Sequence, residues 1–484
     1  MRTVDTGRWA PASGGRTTTP SAAVFAVTAI GGLLVSLDVS VANSLMPAIG
    51  RDFAGEGRAA LSWVITGYAI VFGAALVPAG RIADRAGRRR TYLGGLALFA
   101  AGSLVCGVAP DLGILLAGRV VQGLGAAAAS PASLGLLLAA CDARHHATYA
   151  ARWTGAAALG VCLGPFVGGV LTAAGDWRWA FLVNLPVIVA LCLTTPCVLP
   201  ETPRHPGRGL PDPIGAAIFA LAAAGLALAL SETTTWGAGS PRTIGCLVAA
   251  ALLTVTFVCR SRRVSEPMLQ LALLRNRRVV AAAVVTAGYA AGFFAFLLTF
   301  MLFAVDQWRL DLVQAGAAVL PTGLVVVALT TQVGRAADRF GHRALLVLGA
   351  GLMAVALLVC AATLGGDHFQ ARWFVIGPVL GIGIGLCYPV LAGAAVHGLA
   401  AADLAAASAI NQCARQLGAA VGAAAAVGVL GPDPVPDLTR FHAVWTVAAL
   451  FCFAAAAAAV LIPHPARPAS VSITPPITLE KRSA

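Results

Sequence analysis

The sequence predicts an all-α integral membrane protein whose fourteen transmembrane helices form two six-helix halves plus two central linker helices. Its composition, its apolar blocks and an internal repeat predict this fold class. Of the 484 residues, 58% are hydrophobic and only 11% are charged, and the mean hydropathy is +0.84. A soluble globular protein carries about 25% charged residues. This composition therefore excludes a water-soluble particle.

The apolar residues fall into fourteen blocks, and a membrane-spanning helix needs about 20 such residues. The blocks lack the alternation of barrel strands, so we expect helices. A count of twelve spans remains the alternative. The predicted spans are 22–47, 60–80, 90–109, 111–140, 149–174, 179–199, 213–231, 243–260, 279–305, 313–334, 343–364, 372–397, 404–430 and 442–463.

The basic residues predict the orientation, because Lys and Arg accumulate on the cytoplasmic side of a membrane. Placing the two most basic loops in the cytoplasm puts both termini there too, in a multi-pass protein of the inner membrane. The formal charge of +13 follows from this topology, so we expect no nucleic-acid partner. The two loops contain Arg81, Arg85, Arg88, Arg89 and Arg90, and Arg260, Arg262, Arg263, Arg275, Arg277 and Arg278.

An internal repeat predicts the two halves. The pattern GR-x-AD-R-x-G-x-R occurs at Gly80–Arg90, after span 2, and again at Gly334–Arg343, after span 10. Repeats of this kind indicate parallel halves. The predicted parts are a cytoplasmic tail at 1–20, a first half at 21–200, two extra helices with cytoplasmic loops at 201–278, a second half at 279–463 and a cytoplasmic tail at 464–484.

These repeated loops are candidate gates. In each, an aspartate among arginines lies next to glycines that permit tight turns, so each can hold a neighbouring helix by charge-assisted bonds. A role in topology alone remains the alternative. The candidate gating residues are Gly80, Asp84, Arg85, Gly87 and Arg88 in the first loop, and Gly334, Asp338, Arg339 and Gly341 in the second.

Two opposite charges lie inside the first half, and a charge within a span needs a partner or a function. Counted at 1.5 Å per residue, Asp38 is about 13 Å and Arg119 about 12 Å from the outer end of its span. An adjacent arginine favours the ionised carboxylate, whereas burial favours the protonated one. We expect Asp38 to bind proton and substrate while Arg119 biases its protonation. A static ion pair that fixes helix packing remains the alternative.

The second half has an interior cation, Arg415, without an obvious acid in its span. Asp306, at the outer end of span 9, is the nearest candidate acid, although an acid of an outer loop is an equal alternative. These two residues are candidates for the substrate cavity, together with the neighbouring amides Asn411, Gln412 and Gln416.

Span 5 is rich in glycine. Gly160, Gly164 and Gly168 recur every four residues and predict a face on which another helix approaches closely, while Pro165 can bend the helix. In span 12, the glycines between Gly377 and Gly385 are interpreted as the counterpart in the second half.

Several motifs together resemble the major facilitator superfamily, and within it the fourteen-helix drug:proton antiporter family. They lie in a characteristic order along nearly the whole chain. Beyond the repeated loop, the motifs are Leu37–Asn43 with Pro47; Leu116, Arg119, Gln122, Gly123 and Gly125; Gly160, Gly164, Pro165, Gly168 and Gly169; Asp176–Trp179 with Phe181, Asn184 and Pro186; and Arg415–Gly418 with Gly422.

The resemblance implies a major facilitator fold, a helix-5 antiporter motif and proton-coupled export of drugs or antibiotics. We include Asn43 and Gln122 of these motifs among the cavity candidates. Relatives often carry Gln where Asp306 aligns, so this position departs from the family pattern. The family also implies a monomer whose partners are protons, small molecules and the lipid bilayer.

Other functions fit the sequence less well. A dedicated exporter of an endogenous metabolite, such as an antibiotic, siderophore, lipid or amino acid, is the main alternative, and a nutrient importer is disfavoured by the span-5 motif. There is no G-x-x-x-x-G-K-[ST] loop for a nucleotide. His145 and His146 lack partners for catalysis, and the eleven cysteines lack metal-ligand spacing. We therefore expect no enzyme activity, no cofactor and no metal.

Overall fold

The computed structural model describes residues 21–142, 146–201, 212–366, 368–396, 399, 404–433 and 436–462. The predicted tails at 1–20 and 464–484 lie outside these residues, as does His145. Only the backbone is described at His146 and Asp338.

The described chain is helical and contains no strand. Its helices are α1 Ala22–Ser44, α2 Met46–Asp52, α3 Arg58–Ala86, α4 Arg88–Gly107, α5 Leu112–Ala139, α6 His146–Ala173, α7 Trp179–Leu182, α8 Asn184–Val198, α9 Pro213–Ser231, α10 Thr233–Trp236, α11 Pro241–Arg263, α12 Arg277–Asp306, α13 Leu312–Phe340, α14 His342–Thr363, α15 Trp373–Val396, α16 Leu404–Leu430 and α17 Leu438–Val460, with a 3-10 helix at Leu271–Arg275. With α7 and α8 counted together, fourteen long helices match the predicted spans in order.

Thirteen helical segments of the described chain are long and apolar enough to cross a membrane. The additional predicted span is α4, whose first turn consists of Arg88, Arg89 and Arg90 and lowers its mean hydropathy. Its remaining residues are apolar and pack on α5. The prediction of an all-helical, many-span membrane protein is confirmed.

Local sequence explains where the helices begin and break. Ser21 and Asp111 cap α1 and α5 by accepting hydrogen bonds from backbone N–H groups, as such side chains commonly do at helix starts. The first predicted span breaks at Leu45, because Pro47 begins a new short helix, α2. The sixth breaks at Val183, between α7 and α8.

The long helices pack as two similar halves. In the first half, α1 contacts α6, and α5 contacts both α3 and α4. In the second half, α12 contacts α16 and α17, and α15 contacts both α13 and α14. The halves meet through α6 against α13 and α3 against α16. The central helices α9 and α11 pack on each other, and α9 also contacts α3 and α16.

The two copies of the repeated loop have the same backbone geometry. Gly87 separates α3 from α4 with φ of 103°, and Gly341 separates α13 from α14 with φ of 82°. Side-chain-bearing residues rarely adopt this left-handed region, so glycine permits each helix to end and the next to begin at once. The repeat therefore marks equivalent corners of the two halves.

Close glycine contacts join equivalent helices in each half. A Cβ on Gly160 or Gly164 would collide with α1, at Leu33 and Ser40, and Ser40 Oγ donates a 2.6 Å hydrogen bond to the Val161 carbonyl. In the second half, a Cβ on Gly418 or Gly422 of α16 would collide with the backbone of α12. The glycine face of α6 therefore packs as predicted.

The predicted counterpart in span 12 is wrong. Its glycines lie on α15, where Gly381 contacts Thr322 of α13 and Gly383 contacts Gly349 of α14. In order along the chain, the helix equivalent to α6 is α16. The close approach of Gly418 and Gly422 to α12 therefore reproduces the approach of α6 to α1.

Candidate functional site

A buried polar network centred on Asp38 joins four helices of the first half. Arg119 Nη1 donates to Asp38 Oδ2 at 2.6 Å, and both side chains are 1% exposed. The other oxygen, Oδ1, accepts from Gln122 Nε2 at 3.1 Å and from Asn184 Nδ2 at 3.2 Å. Gln122 and Asn184 also donate to Ser103 Oγ, at 2.7 and 3.3 Å. Asp38 is thus surrounded by donors.

Arg119 is held from several sides. Its Nε donates to the Val64 carbonyl of α3 at 2.9 Å, and Nη1 donates to Gln122 Oε1 at 2.8 Å. Its guanidinium lies 4.2 Å from the centre of the Tyr68 ring and 5.8 Å from that of Phe181. Hydrogen bonds and cation–π contacts therefore replace the water that this cation gives up on burial.

This arrangement is chemically suited to a site that changes state with one proton. Burying two charges is costly and is offset only when the pair has good geometry and satisfied hydrogen bonds. Adding a proton to Asp38 would remove the counter-charge of Arg119, so the pairing of these two side chains depends on whether Asp38 carries the proton.

The sequence placed Asp38 and Arg119 at similar depth, and the structure pairs them directly. Gln122, predicted as a cavity residue, belongs to the same network. Asn184 was noted only as part of a motif, and Ser103 was not predicted. Both are polar residues within apolar spans, a signal that could have identified them. Asn43 is buried apart from this network and donates to the Val39 carbonyl one turn earlier, at 2.8 Å.

The interior cation of the second half, Arg415, has no acidic partner among the described residues of the kind that Arg119 has in the first half. Arg415 Nη1 donates to the Tyr388 hydroxyl on α15, and its guanidinium lies 5.6 Å from the centre of that ring. Its Nε is buried without a hydrogen-bond partner among the described residues. Asn411 accepts from Thr286 Oγ1 at 2.6 Å and so ties α16 to α12. Gln416 is buried where α16 meets Gly73 of α3.

A cavity of about 480 Å³ lies near the first repeated loop, at the predicted cytoplasmic end. Helices α3, α4, α5, α6 and α16 line it, together with the segment between α11 and α12. Gln412 is part of its wall. The charged lining residues form two pairs, Arg81 with Glu266 and Arg88 with Asp84. Both halves therefore contribute to one inner cavity.

Asp306 is half-buried at the end of α12, and its electrostatic neighbours are Arg58, Arg309 and Arg51. These residues lie at or beyond the ends of their helices, at the predicted outer end of the bundle. Asp306 is thus placed apart from Arg415 and the inner cavity. Its predicted role in substrate binding stays a prediction.

The first repeated loop contacts neighbouring helices through arginines. Arg88 donates to Asp84 at 3.3 Å and to the Gly135 carbonyl of α5 at 2.9 Å. The backbone N–H of Arg89 donates to Glu201 at 3.2 Å. Arg85 is exposed. Gly80, Gly334 and Gly341 have open space around them, and Arg339 lies over the ring of Phe340.

The antiporter motif lies at a contact between the halves. A Cβ on Gly169 would collide with the Leu312 backbone at the start of α13, and a Cβ on Gly316 would collide with the Pro165 carbonyl. One helix, α6, thus contacts α1 through Gly160, Gly164 and Gly168 on one side and the second half on the other. Within the described residues, no cluster of three or more His, Cys, Asp and Glu side chains is placed to hold a metal.

Two similar helical halves, an inner cavity between them and a buried ion pair define a many-span membrane transporter of small molecules. The chain belongs to the Major Facilitator Superfamily, whose family model matches residues 28–423 and 324–478.

Curated relatives extend over most of the chain. The lincomycin resistance protein of Streptomyces lincolnensis is 34% identical over 89% of this chain and 89% of its own length. The multidrug resistance protein Stp of Mycobacterium tuberculosis is 32% identical, over 83% and 74% respectively. The tetracenomycin C resistance and export protein of Streptomyces glaucescens is 31% identical, over 85% and 76%.

Proposed function

We propose that this protein exports small organic compounds, antibiotics and other drugs among them, in exchange for protons. The observation that carries the proton coupling is the buried Asp38–Arg119 pair, at 2.6 Å. The names of the relatives, which refer to antibiotic resistance, multidrug resistance and export, support the substrate class and the direction. The protein lies in the inner membrane as a monomer, with both termini in the cytoplasm and no enzymatic role.

Asp38 is the proton carrier in this proposal. In the ionised state, Oδ2 accepts from Arg119 and Oδ1 accepts from two amides. A proton on Oδ2 removes the negative charge and so weakens the contact with Arg119, because the attraction between opposite charges is strong in a buried, low-dielectric environment. The contact between α1 and α5 therefore loosens when Asp38 is protonated and tightens when the proton leaves.

Helices α1 and α6 transmit this change to the contact between the two halves. Asp38 lies on α1, which packs closely on the glycine face of α6. Helix α6 in turn contacts α13 through Gly169 and Gly316. A shift of α1 relative to α5 therefore moves a helix that forms part of the interface between the halves, as rocking of one half against the other requires.

The test uses everted membrane vesicles acidified inside by respiration, with a pH-sensitive dye in the lumen. Adding a transported compound draws protons out, so the dye reports a rise in internal pH. We test three cationic compounds, lincomycin, puromycin and ethidium, and one permanent aromatic anion, naphthalene-2-sulfonate. The wild type is expected to respond to at least one, the response is expected to vanish with an uncoupler, and Asp38→Asn is expected to give none.

Asp52→Asn is the matched control, since Asp52 is a half-exposed carboxylate of the same half that pairs with Arg178. It should respond as the wild type does. No pH response of the wild type to any compound, or a full response from folded Asp38→Asn, would contradict proton coupling through this residue.

A further inference from the structure

The charges around the inner cavity are balanced, whereas the charge of Arg415 is not. The four charged residues of the cavity wall form two ion pairs. Asp38 accepts hydrogen bonds from three side chains of its own half, Arg119, Gln122 and Asn184. Arg415 is half-buried, has no acidic partner within 4 Å among the described residues and keeps a buried Nε–H without an acceptor. An unpaired cation within a membrane protein is costly unless something else compensates it.

Arg415 lies on the same helix, α16, that forms part of the wall of the inner cavity. Gln412, part of the cavity wall, precedes Arg415 by three residues on α16, so the two share a helix face. Because α16 runs from the predicted cytoplasmic end inwards, Arg415 is about one helical turn deeper, or about 5 Å. Arg415 is therefore the first charged side chain beyond the cavity wall along this helix.

Polar groups from both halves surround this point. Tyr68 lies on α3, which packs on α16. It is 1% exposed, and its hydroxyl has no hydrogen-bond partner among the described residues. In the second half, the Tyr388 hydroxyl already accepts from Arg415, so its own proton is free to be donated. Unsatisfied donors in a buried place indicate a missing acceptor.

Aromatic side chains lie next to these donors. Tyr388 also lines a small apolar cavity of about 40 Å³ between α6, α12, α13 and α15, with Phe293 and Phe296. Phe293 and Tyr388 are in ring contact at this cavity, with their centres 6.4 Å apart. Thr322 Oγ1, at the same cavity, is also unpartnered.

We infer that Arg415, Tyr68 and Tyr388 bind the negatively charged oxygen of an aromatic substrate, such as a carboxylate or a phenolate, while Phe293 and Phe296 contact its rings. This inference rests on the proposed export function and names the substrate class of the same cavity. Such a ligand would accept hydrogen bonds from the guanidinium and both hydroxyls, and it would touch the two halves at once. Cationic aromatic compounds are the disfavoured class.

The test is equilibrium binding to the purified protein in detergent without a gradient, measured by fluorescence anisotropy. Fluorescein and rhodamine 123 share a flat xanthene ring and carry opposite charges. We expect fluorescein to bind about tenfold more tightly or better, because charge-assisted hydrogen bonds are the strong ones. Arg415→Gln should weaken fluorescein binding by about tenfold or more and leave rhodamine binding within about twofold.

Arg415→Lys keeps the charge and should retain part of the fluorescein affinity, whereas Arg372→Gln, an exposed arginine before α15, should change nothing. Unchanged rhodamine binding shows that the variants are folded. Should Arg415→Gln fail to fold, Tyr68→Phe provides the second variant, with weaker fluorescein binding expected. Equal or tighter binding of rhodamine by the wild type, or fluorescein binding that survives Arg415→Gln, would overturn the inference.

Binding without a gradient separates this inference from the proposed function. If fluorescein binding depends on Arg415 but no compound moves protons in vesicles, the anion site stands and proton-coupled export fails. If protons move with lincomycin, puromycin or ethidium while Arg415→Gln leaves fluorescein binding unchanged, export stands and the anion site fails.

Discussion

The two halves share a scaffold but differ in their buried charges. In the first half, Asp38 and Arg119 neutralise each other within a closed network. In the second half, α12 stands in the place of α1, and its sequence carries no charged residue between Arg278 and Asp306. The cation of that half, Arg415, meets a tyrosine instead of an acid.

The cores of the halves reflect the same division. The core of the second half contains many aromatic contacts. The rings of Phe300 and Trp373 stack with their centres 4.2 Å apart, and Trp445 meets Phe303 edge to face with ring centres 4.8 Å apart. Glycine contacts between equivalent helices recur in both halves, but charged groups do not. This difference shows that both halves keep the same helix packing while their buried charges differ. It fits the proposal that the first half binds the proton and that the cation of the second half binds substrate.

The largest expected effect breaks the buried pair. Asp38→Ala leaves Arg119 as an uncompensated buried charge, which costs about 3–5 kcal/mol of folding free energy. Arg415→Ala removes the cation together with its one hydrogen bond, to Tyr388, and leaves no buried counter-charge behind among the described residues. It should cost about 1 kcal/mol of folding free energy or less. Thermal unfolding of the purified variants in detergent measures both. Equal losses from the two substitutions would contradict the division between the halves.

The glycine contacts should respond alike in both halves. Gly164→Ala and Gly422→Ala place a methyl group against a neighbouring helix, and overpacking of this kind costs about 1–3 kcal/mol. Gly94→Ala and Gly351→Ala are matched controls on helices with open space at those positions. They should be neutral or stabilising by up to about 1 kcal/mol. Unfolding temperatures check the four variants, and a tolerated Gly422→Ala would show that the equivalence with α6 is incorrect.

A smaller effect concerns an ion pair outside both halves. Arg260 donates to Asp212 at 2.7 and 2.8 Å. These hydrogen bonds lower the pKa of Asp212, although burial acts against them. Because the folded pKa lies below the unfolded value of about 3.9, this stabilisation is complete above that value and is lost as the pH falls through the folded pKa.

Unfolding temperatures measured across this acidic range should therefore fall less steeply for Asp212→Asn than for the wild type. Asp111→Asn is the control, because asparagine also caps helix α5 and Asp111 has no arginine partner within 4 Å among the described residues. An Asp212→Asn profile parallel to that of the wild type would show that the pair contributes nothing to the pH dependence.

Much of the fold follows from the sequence because membrane helices are long apolar blocks. Even α4, with its arginine-rich first turn, could be predicted from the apolar residues that follow. Distances along a helix also placed Asp38 and Arg119 at similar depth. They do not give the rotation of each helix about its axis, so the direct pair could not be separated from a pair bridged by water or substrate.

The unknown rotation of the helices also explains why Ser103 and Asn184 were not predicted as site residues. Ser103 and Asn184 reach Asp38 from α4 and α8, and only the packing of those helices brings them together. The glycines of α15 were matched to those of α6 by composition, whereas equivalence depends on the order of helices within each half. Gly418 and Gly422 follow that order.

The most direct test of the account uses Asp38→Asn and Arg415→Gln in sealed liposomes. Two quantities are measured for each variant: accumulation of fluorescein driven by a pH gradient, and exchange of labelled for unlabelled fluorescein without a gradient. The account predicts that Asp38→Asn loses accumulation but retains exchange, because a neutral residue at 38 can no longer exchange a proton. Arg415→Gln should lose both. Accumulation by folded Asp38→Asn at the wild-type rate would contradict the central claim that this carboxylate couples transport to protons.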